Sequence, residues 1–272
     1  MIKGIIKNKW FIAGVLVVVA AVVVTCSTVP ITGRKQLNLI PDSEMMSMSF
    51  SEYDTFLKEN KLSTNKEQTE MVKRVGSKIA NAVEIYLKEK GLSSRIKDFK
   101  WEFNLVEDAT PNAWCMPGGK VVFYTGILPI CQDETGVAVV MGHEIAHAIA
   151  KHGSERMSQQ LGVEAGTMAL SAFMNEKPQQ TQQIFATVYG VATQVGVLLP
   201  YSRKHESEAD QMGLIFMAIA GYDPSAAVDF WTRMSAQGSS STPAFLSTHP
   251  SDANRIQAIK RELPEALKYY KQ

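Results

Sequence analysis

Residues 142–147 read Gly142-His143-Glu144-Ile145-Ala146-His147, and apolar residues flank this stretch on both sides. The two histidines are four residues apart, so on a helix both imidazoles lie on one face, about 6 Å apart along the axis. Glu144 follows the first histidine and projects near the same face. The pattern predicts a buried helix on which His143 and His147 bind one metal ion, beside a carboxylate that can accept a proton.

A third protein ligand is required, because a catalytic zinc ion has three such ligands and a water. His152 lies nine residues after His143, whereas the metzincin arrangement needs ten and a glycine that this sequence lacks. We therefore interpret His152 as a capping or surface residue near the end of the helix.

The better candidate for the third ligand is Glu206, which is followed four residues later by Asp210 on the same predicted helical face. Glu206 can bind the metal, while Asp210 accepts a hydrogen bond from a ligand imidazole and fixes its tautomer. His205 and Glu208 point away from that face, and we interpret them as solvated. The two motifs together predict one zinc ion per chain.

Hydropathy patterns along the chain predict a helix-rich α+β fold with a small sheet. The predicted helices cover about residues 42–57, 64–91, 133–152, 154–174, 181–199, 202–220 and 224–236, with two more after Pro250. The predicted strands cover residues 99–105, 112–116 and 120–125, and a Ser-rich loop covers 237–243. Neither helix between 154 and 199 reaches a membrane-spanning length, which favours a packed helical hairpin over bilayer contact.

The first 25 residues differ from the rest. Residues 1–9 contain three lysines and no acid, and Trp10–Val24 is an uncharged apolar run. That run suits a signal peptide better than a membrane span of about 20 residues. Cys26 follows as in a lipoprotein signal, although Val23 and Thr25 depart from the usual pattern. An uncleaved signal anchor is the alternative.

These features divide the chain into a signal segment at residues 1–25, a tether at 26–41 and a zinc-binding domain at 42–272. The whole chain has 28 basic and 27 acidic side chains, and without the signal segment the net charge is −2. This balance argues against a nucleic-acid binder. Cys115 and Cys131 are too few for a disulfide framework; they could pair or remain buried thiols.

The paired motifs, with Ala209 before Asp210, resemble those of the HtpX and CAAX-prenyl-protease type of zinc metallopeptidase (metallopeptidase family forty-eight) over about residues 30–265. The resemblance is closest to a small bacterial branch in which a lipoprotein signal precedes a segment like Cys26–Leu39. It implies a gluzincin metallopeptidase domain, tethered by its N-terminus to the periplasmic face of a membrane, with the outer membrane favoured. The implied substrates are unfolded or misassembled proteins.

Asn112-Ala113-Trp114-Cys115-Met116, followed by Pro117-Gly118-Gly119, resembles the edge strand and turn beside the active site in that family. The resemblance implies that residues 112–116 bind substrate, since an exposed strand edge can pair with an extended backbone. An ordinary core hairpin is the alternative.

His249-Pro250, with Arg255 six residues later, resembles a late family motif that brings a histidine and an arginine over the metal. A cationic donor there would stabilise the oxyanion of a tetrahedral intermediate. The same histidine could instead occupy the open metal position and keep the enzyme latent. A helix-start histidine and a surface arginine are the structural alternative.

The favoured function is a zinc endopeptidase in which Glu144 takes a proton from the attacking water and passes it to the leaving amine. The alternative is a non-proteolytic chaperone or assembly factor that holds unfolded proteins on the edge strand. Glu144 argues against it, because a purely structural site has no use for a base. A zinc hydrolase acting on material other than protein is a third hypothesis.

Overall fold

The computed structural model of the protein describes residues 26–174, 199–237, 244–249 and 253–271. The predicted signal segment lies outside these residues, as do nearly all of the helix predicted at 181–199 and of the loop predicted at 237–243. No helix within the described ranges is both long and apolar enough to cross a membrane.

Helices dominate the described chain, and two small sheets accompany them. The strands are β1 (Cys26–Thr28), β2 (Lys35–Leu37), β3 (Glu102–Val106), β4 (Ala113–Met116) and β5 (Lys120–Tyr124). The helices are α1 (Asp42–Glu59), α2 (Lys66–Glu89), α3 (Leu128–Cys131), α4 (Glu134–Ile149), α5 (His152–Met174), α6 (Leu199–Ile219), α7 (Ala226–Gln237), α8 (Ala244–Thr248) and α9 (Ala253–Ala266). The predicted helix-rich α+β fold is confirmed.

Helix α2 shows how local sequence sets the ends of a helix. The Asn65 side chain accepts a hydrogen bond from the backbone nitrogen of Gln68 at 3.1 Å and caps the first turn. Gly91 follows the helix with a φ of 70°, a left-handed conformation that favours glycine. The apolar residues at helical spacing are buried, among them Val72, Val75, Ile79, Val83 and Leu87.

The three-stranded sheet has the order β3-β5-β4. Strand β5 pairs parallel with β3 and antiparallel with β4. The turn between β4 and β5 contains Gly118 and Gly119 at φ values of 87° and 84°. Strand β4 therefore lies at the sheet edge, where it packs against α4. Strand β3 begins at Glu102 and not at Phe99 as predicted. The backbone nitrogen of Phe99 instead donates a hydrogen bond of 3.0 Å to the carbonyl oxygen of Ile96, which forms a turn.

Helix α4 carries the paired histidines through the centre of the molecule. The Asp133 side chain caps it by accepting a hydrogen bond from the Gly136 nitrogen at 2.8 Å. Every residue from Gly136 to Ile149 is buried, which explains why the sequence is apolar around the whole helix. Its neighbours include α2, α6, α7 and β4. The motif is therefore held in the low-dielectric interior.

Residues 26–41, predicted as a tether, are folded onto the domain. Strands β1 and β2 form an antiparallel hairpin in which Ser27 lies opposite Gln36. Val29, at the start of its turn, is buried in the main core. Arg34, at the end of the turn, forms ion pairs with two buried carboxylates. This segment is therefore part of the folded body and not only a tether.

The C-terminal part differs from the prediction in two helices. The short helix α8 was not predicted, and it ends just before His249. After Pro250 the sequence predicts two helices, whereas the described residues 253–271 form α9 alone, followed by a 3-10 turn at Leu267–Tyr269. The helix continues through Pro264, which lies in its last turn, and then tightens.

Candidate metal centre

Helix α4 brings its two histidines together as their spacing predicts. Nε2 of His143 lies 3.1 Å from Nε2 of His147. Both side chains are buried. The two ring nitrogens therefore face one common point beside the helix.

Helix α6 supplies a carboxylate to the same point. One oxygen of Glu206 lies 3.3 Å from Nε2 of His143, and the other lies 3.4 Å from Nε2 of His147. Glu206 is itself buried. The three residues that the sequence predicts as metal ligands are thus brought together from two helices that are distant in the chain.

A fourth side chain, His249, joins them from the segment after α8. Its Nδ1 lies 3.1 Å from Nε2 of His143 and 3.1 Å from Oε2 of Glu206. The potential ligand atoms of all four side chains lie within 4.8 Å of one another. The resemblance implies a histidine over the metal, and the structure places His249 beside the three predicted ligands.

The spacing of these four groups fits a zinc ion. Zinc binds imidazole nitrogen and carboxylate oxygen at about 2.0–2.2 Å in a tetrahedron, which puts neighbouring ligand atoms roughly 3.3–3.5 Å apart. Five contacts within the cluster measure 3.1 to 3.4 Å, and no two of its ligand atoms are more than 4.8 Å apart. His143, His147 and Glu206 would therefore hold the ion, and His249 lies at the remaining position.

The protonation states also favour a bound cation. Burial alone would raise the pKa of Glu206, but the adjacent histidines, His147 foremost, hold it far below its usual range. Burial holds the pKa of His147 well below its ordinary value, although Glu206 opposes this effect. Burial would also lower the pKa of His143, yet Asp210 and Glu206 raise it to about 9. A metal ion bound here would therefore displace a proton from His143.

Glu144 lies beside this cluster with one oxygen uncommitted. Its Oε1 is buried and has no hydrogen-bond partner among the described residues; Nε2 of His249 lies 3.4 Å away. Burial raises the pKa of Glu144 above its ordinary value. A raised pKa suits a carboxylate that must accept a proton and then return it. The geometry agrees with the predicted place of a general base.

Asp210 supports His143 as the sequence predicts, with its Oδ1 3.0 Å from Nδ1 of the ring. Arg255 donates hydrogen bonds of 2.8 and 2.7 Å to the two oxygens of Asp210. Its Nη1 also lies 3.2 Å from Glu206, and its guanidinium lies 3.4 Å above the Trp231 ring. The guanidinium is thus committed to carboxylates, and Arg255 does not line the cleft. The oxyanion role of Arg255 stays a prediction, and the contacts that the structure shows are those that support Asp210 and Glu206.

A cavity of about 250 Å³ opens beside the cluster, between β4, α1 and α4. Its lining includes Asn112, Ala113, Trp114, Cys115, Glu144, His147 and His249. Met116, which was also predicted to bind substrate, instead lines a neighbouring groove with Met48 and Met157. The structure therefore places four of the five residues 112–116 against the cleft that leads to the metal centre.

His205 and Glu208 are buried, so their predicted solvated positions are wrong, and His152, predicted as a capping or surface residue, is not at the surface. All three are buried, and the two imidazoles stack with centroids 4.3 Å apart. Nδ1 of His152 lies 2.9 Å from Nδ1 of His147, and its Nε2 lies 3.3 Å from Glu208. Lys151, at a φ of 58°, breaks the helix and turns His152 back toward α4. Burial lowers the pKa of His152 to about 4, so its ring is neutral.

The two cysteines of the domain are both free thiols. Cys131 is buried in the core, and Cys115 is partly buried in the cleft strand β4. Of the two predicted possibilities, the structure shows unpaired cysteines.

Comparison with known proteins gives a consistent family. The model of "Peptidase family M48" matches residues 66–263. The mitochondrial metalloendopeptidase OMA1 of Schizosaccharomyces pombe is 41% identical over 175 residues, covering 64% of this chain and 50% of the relative. Human mitochondrial metalloendopeptidase OMA1 is 30% identical, covering 98% of this chain and 52% of the relative. A putative beta-barrel assembly-enhancing protease of Vibrio cholerae is 32% identical, covering 57% and 33%. The chain thus spans about half the length of the OMA1 relatives.

These relatives correct one expectation. The prediction of a location at the periplasmic face of a bacterial membrane, with the outer membrane favoured, is wrong, because relatives at 30–41% identity are mitochondrial metalloendopeptidases by name. The lipidation of Cys26 stays a prediction, since the preceding residues lie outside the described chain.

Proposed function

The chain belongs to peptidase family M48 and carries the zinc site of a metallopeptidase, and on this premise we propose that it hydrolyses internal peptide bonds of misfolded or misassembled membrane-associated proteins. The observation that carries the proposal is Glu144, which is buried beside His143, His147 and Glu206 with an uncommitted oxygen. A site that served only to hold the fold together would have no use for such a group.

The chain's own residues divide the work of peptide hydrolysis. His143, His147 and Glu206 would hold the zinc ion, which when bound polarises the peptide carbonyl and lowers the pKa of water. Glu144 accepts a proton from the attacking water and returns it to the leaving amide nitrogen. Asp210 keeps the proton of His143 on Nδ1, so that Nε2 faces the metal.

Strand β4 is the proposed binding place for substrate backbone. Within the described chain it pairs on one side only, with β5, and its residues Ala113–Cys115 line the cleft. A substrate added to its other side would be bound through main-chain hydrogen bonds, which read sequence weakly. Weak sequence preference suits an enzyme whose substrates share an exposed backbone and no common motif. The relative named for β-barrel assembly supports membrane-associated proteins as substrates.

His249 favours a second candidate function, that of a non-proteolytic chaperone or assembly factor. Its Nδ1 lies at ligand distance from the cluster and its Nε2 lies near Glu144. In this position the histidine would compete with water for the metal and for the base. A chain held permanently in this state would bind unfolded proteins on β4 and not cleave them.

The test is digestion of an unfolded protein such as casein by the full chain, with and without a chelator. We expect cleavage that the chelator stops and that added zinc restores, and a folded protein of similar size should persist. If neither the wild type nor His249→Ala cleaves casein while each binds one zinc ion, the peptidase proposal fails and the chaperone alternative replaces it.

A further inference from the structure

A chain of buried polar contacts leads from the N-terminal hairpin to a metal ligand. Arg34 donates hydrogen bonds of 2.9 and 2.8 Å from its Nε to the two oxygens of Glu208. Glu208 lies 3.3 Å from Nε2 of His152, whose Nδ1 lies 2.9 Å from Nδ1 of His147. His147 in turn presents its Nε2 to the metal cluster.

The direction of each hydrogen bond follows from its two ends. A ring that binds metal through Nε2 carries its proton on Nδ1, so His147 donates and Nδ1 of His152 accepts. The proton of His152 is then on Nε2, where Glu208 accepts it. The carboxylate is anchored by Arg34 and by a 2.7 Å hydrogen bond from the Thr32 hydroxyl. Each member therefore fixes the tautomer or position of the next.

The same logic operates at the other ligand histidine, by a shorter route. There Nδ1 of His143 meets Asp210, and Arg255 holds that carboxylate with two hydrogen bonds. Each ligand histidine is thus backed by a carboxylate that an arginine holds. The route to His147 differs in having one extra imidazole, His152.

We propose that Arg34 is a positioning residue for the zinc site, acting on His147 through Glu208 and His152. The proposal rests on the zinc site of the proposed function and is independent of what the enzyme cleaves. The hairpin β1–β2 thereby helps to position a ligand of the metal centre.

Arg34 is suited to this role by its shape. Its other two nitrogens donate hydrogen bonds of 2.7 and 2.6 Å to the two oxygens of Glu155, on the helix that begins with His152. The side chain of Arg34 is 10% exposed, and those of Glu155 and Glu208 are 2% and 6% exposed. A guanidinium can donate hydrogen bonds to two buried carboxylates from separate edges of its plane, whereas an ammonium cannot. Oε2 of Glu155 also lies 2.9 Å from Nε2 of His205, which is the last member of this buried group around Arg34.

The experiment measures the zinc dissociation constant of the full chain by competition with a chromophoric chelator. The variants are Arg34→Ala, His152→Asn and the two combined. The matched control is Lys35→Ala, since Lys35 is the adjacent cation on the same hairpin, is exposed, and donates a side-chain hydrogen bond to the Thr28 hydroxyl. Circular dichroism establishes that each variant is folded.

We expect Arg34→Ala and His152→Asn each to weaken zinc binding by about 10- to 100-fold, the usual effect of removing a residue that supports a ligand histidine. The double variant should be no weaker than His152→Asn alone, because Arg34 acts through that ring. Lys35→Ala should bind zinc like the wild type. Wild-type zinc affinity in folded Arg34→Ala, or additive losses in the double variant, would overturn the proposal.

A milder variant covers the case in which Arg34→Ala does not fold. Thr32→Val removes one hydrogen bond to Glu208 and should weaken zinc binding by about fivefold, as expected for about 1 kcal/mol. An unchanged affinity there would count against the proposal. Failure of casein cleavage alongside the expected zinc affinities would contradict the proposed function and leave the role of Arg34 intact.

Discussion

Gly142 of α4 and Gly213 of α6 lie in direct contact, and a Cβ atom on Gly213 would come within 2.9 Å of the backbone nitrogen of His143. Neither helix could approach the other so closely with a larger residue at this point. The contact sets the distance between the helix that carries the histidines and the helix that carries Glu206. Backbone packing at this contact therefore contributes to the geometry of the metal centre.

Gly213→Ala is expected to destabilise the fold by about 1–3 kcal/mol, because its methyl group meets backbone that cannot rotate away. Zinc affinity should fall with it, as the helices move apart. Urea unfolding of the metal-free chain measures the first effect, and chelator competition measures the second. The matched control is Gly162→Ala on α5, which has no atom within 4 Å of the added Cβ and should be neutral or slightly stabilising. Equal stability of the Gly213→Ala variant and the wild type would contradict the packing argument.

Glu144→Gln is expected to abolish casein cleavage while zinc content stays near one ion per chain. The amide keeps the size of the side chain but cannot accept the proton of the attacking water. Cleavage is followed by the release of soluble peptides, and zinc is measured by atomic emission. Residual cleavage near the wild-type rate would exclude Glu144 as the base.

His249→Ala is expected to raise the initial rate of casein cleavage several-fold, since Nδ1 of His249 lies 3.1 Å from Glu206 and its Nε2 lies 3.4 Å from Glu144. Removing the ring opens the remaining position of the cluster to water. A loss of rate with unchanged zinc content would instead support His249 as a donor to the oxyanion.

Glu134→Gln is expected to make the free energy of unfolding less dependent on pH in the acidic range. Hydrogen bonds from Arg74, with a smaller contribution from Tyr222, lower the pKa of Glu134 from 4.5 to about 2. A lowered folded-state pKa stabilises the fold above about pH 4.5, and this contribution is lost as the pH falls toward 2. Because the pair is partly exposed, we expect a loss of about 1 kcal/mol at pH 7 in the variant.

That difference should shrink between pH 4.5 and 2, as measured by urea unfolding of both proteins. Glu70→Gln is the control, because Glu70 faces Lys73 at 3.9 Å on an exposed helix surface and should contribute little. A variant that loses as much stability at pH 3 as at pH 7 would show that the effect is not the charge of Glu134.

The sequence predicts those parts of the site that depend on spacing within a single helix. His143 with His147, and Glu206 with Asp210, are pairs four residues apart, and helical geometry alone places each pair on one face. The cleft strand β4 follows from the Pro117-Gly118-Gly119 turn that joins it to the next predicted strand.

The missed residues depend on contacts between distant segments. Arg34 and Glu208 are 174 positions apart in the chain, and no local sequence pattern predicts their contact. His152 was misplaced because the break at Lys151, a residue with positive φ that is not glycine, turns it inward. His205 and Glu208 face away from Glu206 on α6, yet the hairpin and α5 cover that side and exclude water.

Arg255 forms ion pairs with Asp210 and Glu206, and the members of the metal centre are synthesised in a fixed order. The two ligand histidines emerge first, Glu206 follows, and Arg255 arrives on the last helix of the described chain. A chain still being synthesised thus lacks the arginine that holds the carboxylates at the metal. The residues that support the metal centre are therefore assembled only once α9 has been synthesised, and we expect a fragment that stops before α9 to lack a stable zinc site.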